Sequence, residues 1–225
     1  MQTLKLPSKT DDYDYHLDED DGLFDKEPQP QELVARIPVT HLMSMGTARA
    51  VSPFVGVTRS SSVSGMTKAH RATARKRAVQ AALLSYHHRE VIHYTQGPRR
   101  WDGIRLGLNA NHGEFPIYGD CSAMATWWEH NGLWIPYHIR DVVNHEHWAS
   151  GYTGTMLLGG KRVIHLSNVI PGDCVLYGGG TGRHTAMCVG HRGSKPMVIS
   201  HGSEAGPFYL PYDYRPDTNQ WRRYI

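Results

Sequence analysis

The stretch FPIYGDCSAMATWWEHNGL, Phe115 to Leu133, carries one thiol, Cys121, where a loop turns into a helix. Asp120 is suited to cap the start of that helix and Gly132 its end, which gives a helix over about 121–131. Orphan N–H groups and the macrodipole at a helix N-terminus favour an anion, and that position lowers a thiol pKa. A core thiol is the plainer reading, because free Cys is among the most buried residue types. The choice turns on whether the chain supplies a base within reach of Cys121 and a third group to orient that base.

Downstream, the periodicity is that of strands: DCVLYG (173–178), HTAMCVG (184–190), PMVISHG (196–202) and PFYLPY (207–212). GGGTGR between the first two reads as a flexible turn. With 15 His in the chain, an imidazole as such carries little information. Position narrows the field. His184 opens one strand and His201 ends the next, so antiparallel neighbours bring both to the same sheet edge. There one imidazole can hold the other, and a helix packed on the sheet can deliver Cys121, with Ala125 and Trp128 as its sheet-facing side. Helices followed by an antiparallel meander of about five or six strands is an α+β order.

Upstream, residues 67–97 (TKAHRATARKRAVQAALLSYHHREVIHYTQG) predict a long helix stopped by Gly97–Pro98. Val79, Leu83 and Tyr86 form its apolar stripe, continued by Glu90 and Tyr94. Residues 133–168 read as loop-rich. Trp127, Trp128, Trp134, Trp148 and Tyr152 are core residues by default, and those in the 133–155 loop can line a groove.

Charge divides the chain. Residues 1–32 hold 10 Asp and Glu against 3 Lys, net −7, whereas residues 33–89 hold 9 Lys and Arg and no acid. The first segment is expected to be an acidic disordered tail. Residues 33–66 read as a basic Ser/Pro/Gly-rich linker, leaving 67–225 as the folded domain. No run of 18 apolar residues occurs, so membrane insertion is not expected. The start of the chain lacks an apolar h-region, and the protein is expected to be held first in a cytoplasm.

Three Cys are too few for a disulfide framework. Cys174 and Cys188 fall mid-strand and read as core residues able to face each other across their hairpin. His145 and His147 in NHEHW are two apart and HExxH is absent, so no metal is expected. GGGTG lacks the Gly-Lys-Ser/Thr ending of a phosphate loop, and a zinc deaminase would need a Pro-Cys-x-x-Cys partner that is missing.

Four motifs in order, DCS opening a helix, PGDCVLY, GRHTAMCVG and MVISHGSE, span Asp120 to Glu204. Together they resemble NlpC-type cysteine peptidases, small papain-like enzymes that cut peptidoglycan peptides. HYTQGPRRWDGIR, DCSAMATWW and the GYTG before PGD resemble the phage lysin branch. The resemblance implies a papain-like α+β fold with Cys121 as nucleophile, His184 as general base and His201 as the orienting third residue. Glu204 is the second choice for that third role, and Asp120 is a cap. The family also uses an upstream Tyr hydroxyl near the oxyanion; Tyr94 is the candidate here, with Gln96 or Tyr118 as replacements. Ala123 and Met124 stand where the family has Gly and an aromatic, which touches helix packing and not the chemistry.

The resemblance further implies hydrolysis of an amide bond in the peptidoglycan stem peptide, with no metal or organic cofactor. The D-glutamyl–diaminopimelate bond and the muramoyl–alanine bond compete as targets. The implied setting is a phage endolysin that reaches the wall after release, a virion-associated enzyme, or a bacterial toxin-like hydrolase. Anionic wall polymers are candidate partners of residues 33–89, and nucleic acid is not expected. Three alternatives stand on the same residues: a non-catalytic virion structural or binding module, an N-acetylmuramoyl-L-alanine amidase, and an acyltransferase.

Overall fold

Thr67 starts the first long helix: its Oγ1 accepts from the His70 N–H at 3.1 Å and caps α1 (Lys68–His87). The computed structural model describes residues 62–180, 182–202 and 206–225, with only the backbone of Asn219. The acidic tail 1–32 and linker residues 33–61 lie outside the described residues. Helix α1 ends ten residues before Gly97, earlier than its stripe predicts. The β-branched and aromatic run Val91–Tyr94 leaves the helix, and β1 (His93–Tyr94) pairs in parallel with β2 (Tyr118–Gly119). Between them lies a short helix, α2 (Asp102–Arg105).

Helix α3 (Cys121–Tyr137) begins where the sequence places it but runs six residues further. Gly132 lies inside it, not at its end. A Cβ there would sit 2.5 Å from the Ala74 carbonyl oxygen, so the glycine serves the close approach of α1. The matching surface of α1 is small: Ala74, Ala78, Ala81, Ala82 and Ser85 are all buried. Trp128 meets this surface, its Nε1 donating to Ser85 Oγ at 3.0 Å. His138, in the left-handed region, ends the helix.

After α4 (Thr153–Met156) the chain is mostly sheet: β3 (Lys161–Val163), β4 (Cys174–Tyr177), β5 (His184–Arg192), β6 (Lys195–Ser200), β7 (Phe208–Pro211) and β8 (Thr218–Arg223). The strand order is β3-β8-β4-β5-β6-β7, antiparallel throughout. The architecture is therefore α+β, a helical layer on one antiparallel sheet. β3 and β8 are the strands that the sequence reading did not find. Asp173 belongs to the turn before β4, as expected. Fully buried, it receives both Arg223 Nε and Nη2 at 2.7 Å and so fastens β8 beside β4.

Alternation along the strands divides the apolar residues into two cores. Cys174, Leu176, Met187, Val189 and Ile199 face the helices. Val175, Tyr177, Ala186, Cys188 and Val198 pack on the other face with Leu210 and Trp221. Cys174 and Cys188 are both core residues, but they lie on opposite faces, because Cys174 is paired with Met187. β5 and β6 change register between Cys188 and Gly190, at a β-bulge. No helix among the described residues is long and apolar enough to cross a membrane.

Candidate active site

Helix α3 presents Cys121 at its first position. Asp120 caps it: Oδ1 accepts from the Ala123 N–H at 2.7 Å and from Ser122 Oγ at 2.8 Å. The other carboxylate oxygen pairs with Arg100, whose Nη2 also donates to the Gly151 carbonyl at 3.1 Å. Arg100 thus ties the start of α3 to the loop after it. A second tie runs from the same first turn: Thr126 Oγ1 donates to the Ser122 carbonyl at 2.7 Å and accepts from Asn144 Nδ2 at 3.1 Å. Asn144 Oδ1 in turn accepts from Thr155 Oγ1 at 2.8 Å.

The Cys121 thiol faces the start of β5, where the Thr185 N–H, together with those of Ser122 and Cys121 itself, favours its thiolate. Burial outweighs these donors and the Asp120 charge adds to it, pushing the thiol up to about 12. His184, the residue before Thr185, is also buried, and burial with the Arg215 charge brings its imidazole down to about 4. At neutral pH the resting pair is thus a thiol and a neutral imidazole.

His184 Nε2 lies 2.7 Å from Ser200 Oγ, and Ser200 Oγ lies 2.9 Å from Tyr214 Oη. The imidazole therefore meets a hydroxyl where a second imidazole was expected. The register gives the reason. Ala186 pairs with Ser200, so His184, Ala186 and Ser200 share the face away from the helices. His201 continues the face of Ile199. It is fully buried, its ring centroid is 5.7 Å from that of Tyr94, and its Cδ2 is 3.8 Å from an ideal Cβ at Gly119. His201 thus lies against the two small strands. Glu204 falls outside the described residues.

Tyr94 is brought to Cys121 by β1. Its strand is clamped to the segment that enters α3, with His93 N–H on the Ile117 carbonyl at 2.7 Å and Thr95 N–H on the Gly119 carbonyl at 2.8 Å. Burial holds the phenol above its usual value, and the neighbouring Cys121 and Asp120 raise it further. Gln96 Nε2 donates to Tyr94 Oη at 3.1 Å, so Gln96 supports the tyrosine. Tyr118 is engaged elsewhere, under the Arg99 guanidinium at 3.9 Å.

Sequence reading missed Arg100, Asn144, Ser200 and Tyr214. Ser200 was adjacent to the chosen His201, and only the strand register separates the two. Arg100 and Asn144 carried no motif; they act through folding back onto α3. Among the described residues no group of three or more His, Cys, Asp or Glu is arranged to hold a metal ion.

No protein-family model matches the chain, and no curated protein does. Solved structures do. NlpC2 from Trichomonas vaginalis is 17% identical, with a TM-score of 0.42 over 66% of this chain and 47% of that one. NlpC1 from the same organism is 16% identical, with a TM-score of 0.41 over 65% and 44%. The resuscitation promoting factor interacting protein RipA, in a mutated form, is 15% identical, with a TM-score of 0.47 over 71% and 66%. The chain spans just under half the length of the two Trichomonas proteins. It is thus similar to NlpC proteins and to RipA over 65–71% of its own length.

Proposed function

We propose that the chain is a cysteine peptidase that hydrolyses an amide bond of the peptidoglycan stem peptide, with Cys121 as nucleophile and His184 as general base. The observation that carries this reading is the meeting of the N-terminus of α3 with the first residues of β5. Cys121 touches the Thr185 N–H there, and His184 is held by Ser200. A thiol, an imidazole and an orienting hydroxyl are the parts that acyl transfer needs.

In the proposed reaction the Cys121 sulfur attacks the carbonyl carbon as its proton passes to His184 Nδ1, the ring nitrogen not occupied by Ser200. Both groups rest neutral, so proton transfer accompanies attack. The tetrahedral oxyanion is stabilised by the Cys121 N–H and the Tyr94 hydroxyl. His184 then protonates the leaving amine and a thioester remains. Water, deprotonated by His184, attacks the thioester and releases the acid and the thiol. Ser200 holds the imidazole in place of the His201 first expected, and His201 supports Tyr94 from below. An endolysin setting and anionic wall polymers as partners of the basic segment 33–89 complete the proposal.

Purified peptidoglycan incubated with the chain and with Cys121→Ala tests it, with fragment masses as the readout. Peptide release by the parent and none by a folded Cys121→Ala supports the reading, and equal release by both sinks it. The masses also separate the stem-peptide cut from a muramoyl–alanine cut or transfer to an amine. A second reading is favoured by one observation: Cys121 is only 7% exposed, as a core thiol would be. On that reading the chain is a non-catalytic virion module, and no fragment appears with either protein.

A further inference from the structure

The hydroxyl that holds His184 is itself held. Ser200 is buried between two partners, His184 Nε2 at 2.7 Å and Tyr214 Oη at 2.9 Å. A serine hydroxyl has one proton and two lone pairs, and with that proton spent within this chain of three the bonds run in one of two directions. Run inward, Tyr214 donates to Ser200, Ser200 donates to Nε2, and the ring proton sits on Nδ1. Run outward, Nε2–H donates to Ser200 and Ser200 donates to Tyr214, leaving Nδ1 with its lone pair. Only the outward direction gives a base, and only it is compatible with an imidazolium, whose two nitrogens are both donors.

We infer that Tyr214 is a positioning residue for His184: as the terminal acceptor of the Ser200 hydroxyl it fixes the Nε2–H tautomer and stabilises the imidazolium formed in the reaction. The inference rests on reading His184 as the general base. Tyr214 is placed for this role by its neighbours. It ends the 3₁₀ turn Tyr212–Tyr214. That turn is fastened by Tyr177 Oη, which donates to the Tyr212 carbonyl at 2.7 Å. Tyr177 pairs with His184 across β4 and β5, its ring 5.8 Å from the imidazole and 5.5 Å from the Tyr214 ring. One tyrosine thus sets the turn and stacks on the imidazole, and the other closes the hydrogen-bond chain.

The charges around His184 leave this part to neutral groups. Arg215 and His201 disfavour its protonation, and Asp217 and Asp120 favour it more weakly. Arg215 is itself paired with Asp217 at 2.9 Å. No carboxylate contacts the imidazole among the described residues, so the imidazolium depends on its acceptor chain.

The test needs no wall substrate. Cys121 in the full-length chain is alkylated with iodoacetamide across a pH series and quantified by the mass of its peptide, apart from Cys174 and Cys188. Loss of imidazolium stabilisation makes the thiolate harder to form. In Tyr214→Phe the rate of Cys121 alkylation at neutral pH, which draws on the minor thiolate–imidazolium form, therefore falls roughly tenfold. Ser200→Ala gives the same direction, and the double variant is no worse than Ser200→Ala alone, because Tyr214 acts through Ser200. In the unmodified chain, nitrogen NMR of His184 shows the Nε2–H tautomer. A wild-type alkylation rate at neutral pH in Tyr214→Phe, additive effects in the double variant, or an Nδ1–H tautomer overturns the inference. These readouts are separate from wall cleavage, so failure of the peptidase reading and failure of the relay are told apart.

Discussion

Arg100 and Asp120 form an ion pair at the N-terminus of helix α3, one residue before Cys121. Asp120 therefore has two effects of opposite sense on the thiol. As a cap it starts the helix whose N–H groups favour a thiolate, and as a charge it raises the thiol pKa. Asn keeps the cap and removes the charge. In Asp120→Asn the midpoint of Cys121 alkylation moves downward. Loss of the Arg100 pairing lowers stability by about 1–3 kcal/mol. An upward shift would contradict the electrostatic account of Cys121.

Tyr94 is the one side-chain hydroxyl proposed for the oxyanion. Tyr94→Phe keeps the ring against His201 and removes the donor. If the hydroxyl binds charge that appears only in the transition state, kcat falls about 10²-fold with KM little changed. A steady-state measurement on a soluble stem-peptide substrate checks it, and an unchanged kcat removes Tyr94 from the oxyanion role.

Gly132 is needed for packing and not for chain reversal. Gly132→Ala puts a methyl group 2.5 Å from the Ala74 oxygen, a backbone atom that cannot swing away. Helix propensity alone favours Ala by roughly 1 kcal/mol, but the overlap forces α1 and α3 apart at a cost of about 1–3 kcal/mol. The expected net result is a lower Tm with a far-UV spectrum that stays helical. A higher Tm would mean that propensity wins and the helices can separate freely.

Glu129 is fully buried on α3, and its Oε2 has no hydrogen-bond partner among the described residues. Burial, with Asp173 adding to it, holds its carboxyl well above the usual range. The folded chain then keeps a proton that the unfolded chain releases above about 4.5. The protonated carboxyl supports the fold fully below that pH, and its contribution is lost as pH rises toward the folded pKa. Gln cannot ionise, so the Tm difference between Glu129→Gln and the parent grows in favour of the variant from pH 4.5 to pH 8. Calorimetry at the two pH values decides, and a gain confined to the acid side would refute the assignment.

Much of this was legible in the sequence because it depends on local signals. Asp120 before Cys121 marked a helix start, Gly-rich turns marked the strand breaks, and the order of elements gave the α+β class. The end of α1 was not legible, because the stripe through Glu90 and Tyr94 fits a helix equally well. What ends it is pairing with Tyr118 and Gly119, more than twenty residues away. β8 was missed because TNQWRR has no clean alternation, and its place between β3 and β4 comes from partners distant in the chain. Of the candidate site, the positions of Cys121 at a helix start and His184 at a strand start were legible, whereas the neighbour of His184 required the strand register.

That register depends on the bulge between Cys188 and Gly190. The pairing that begins with Arg192 opposite Lys195 and Gly190 opposite Met197, if continued without interruption, would set Ala186 opposite His201. With the bulge, Ala186 lies opposite Ser200 instead. The hairpin thus works as a one-step selector between two adjacent side chains, and the extra residue chooses the hydroxyl. Deleting Val189 would remove the bulge and still leave Ala186 opposite Ser200, whereas an unbulged strand of the present length would bring His201 there, so the residue beside His184 is encoded in strand length as much as in residue type.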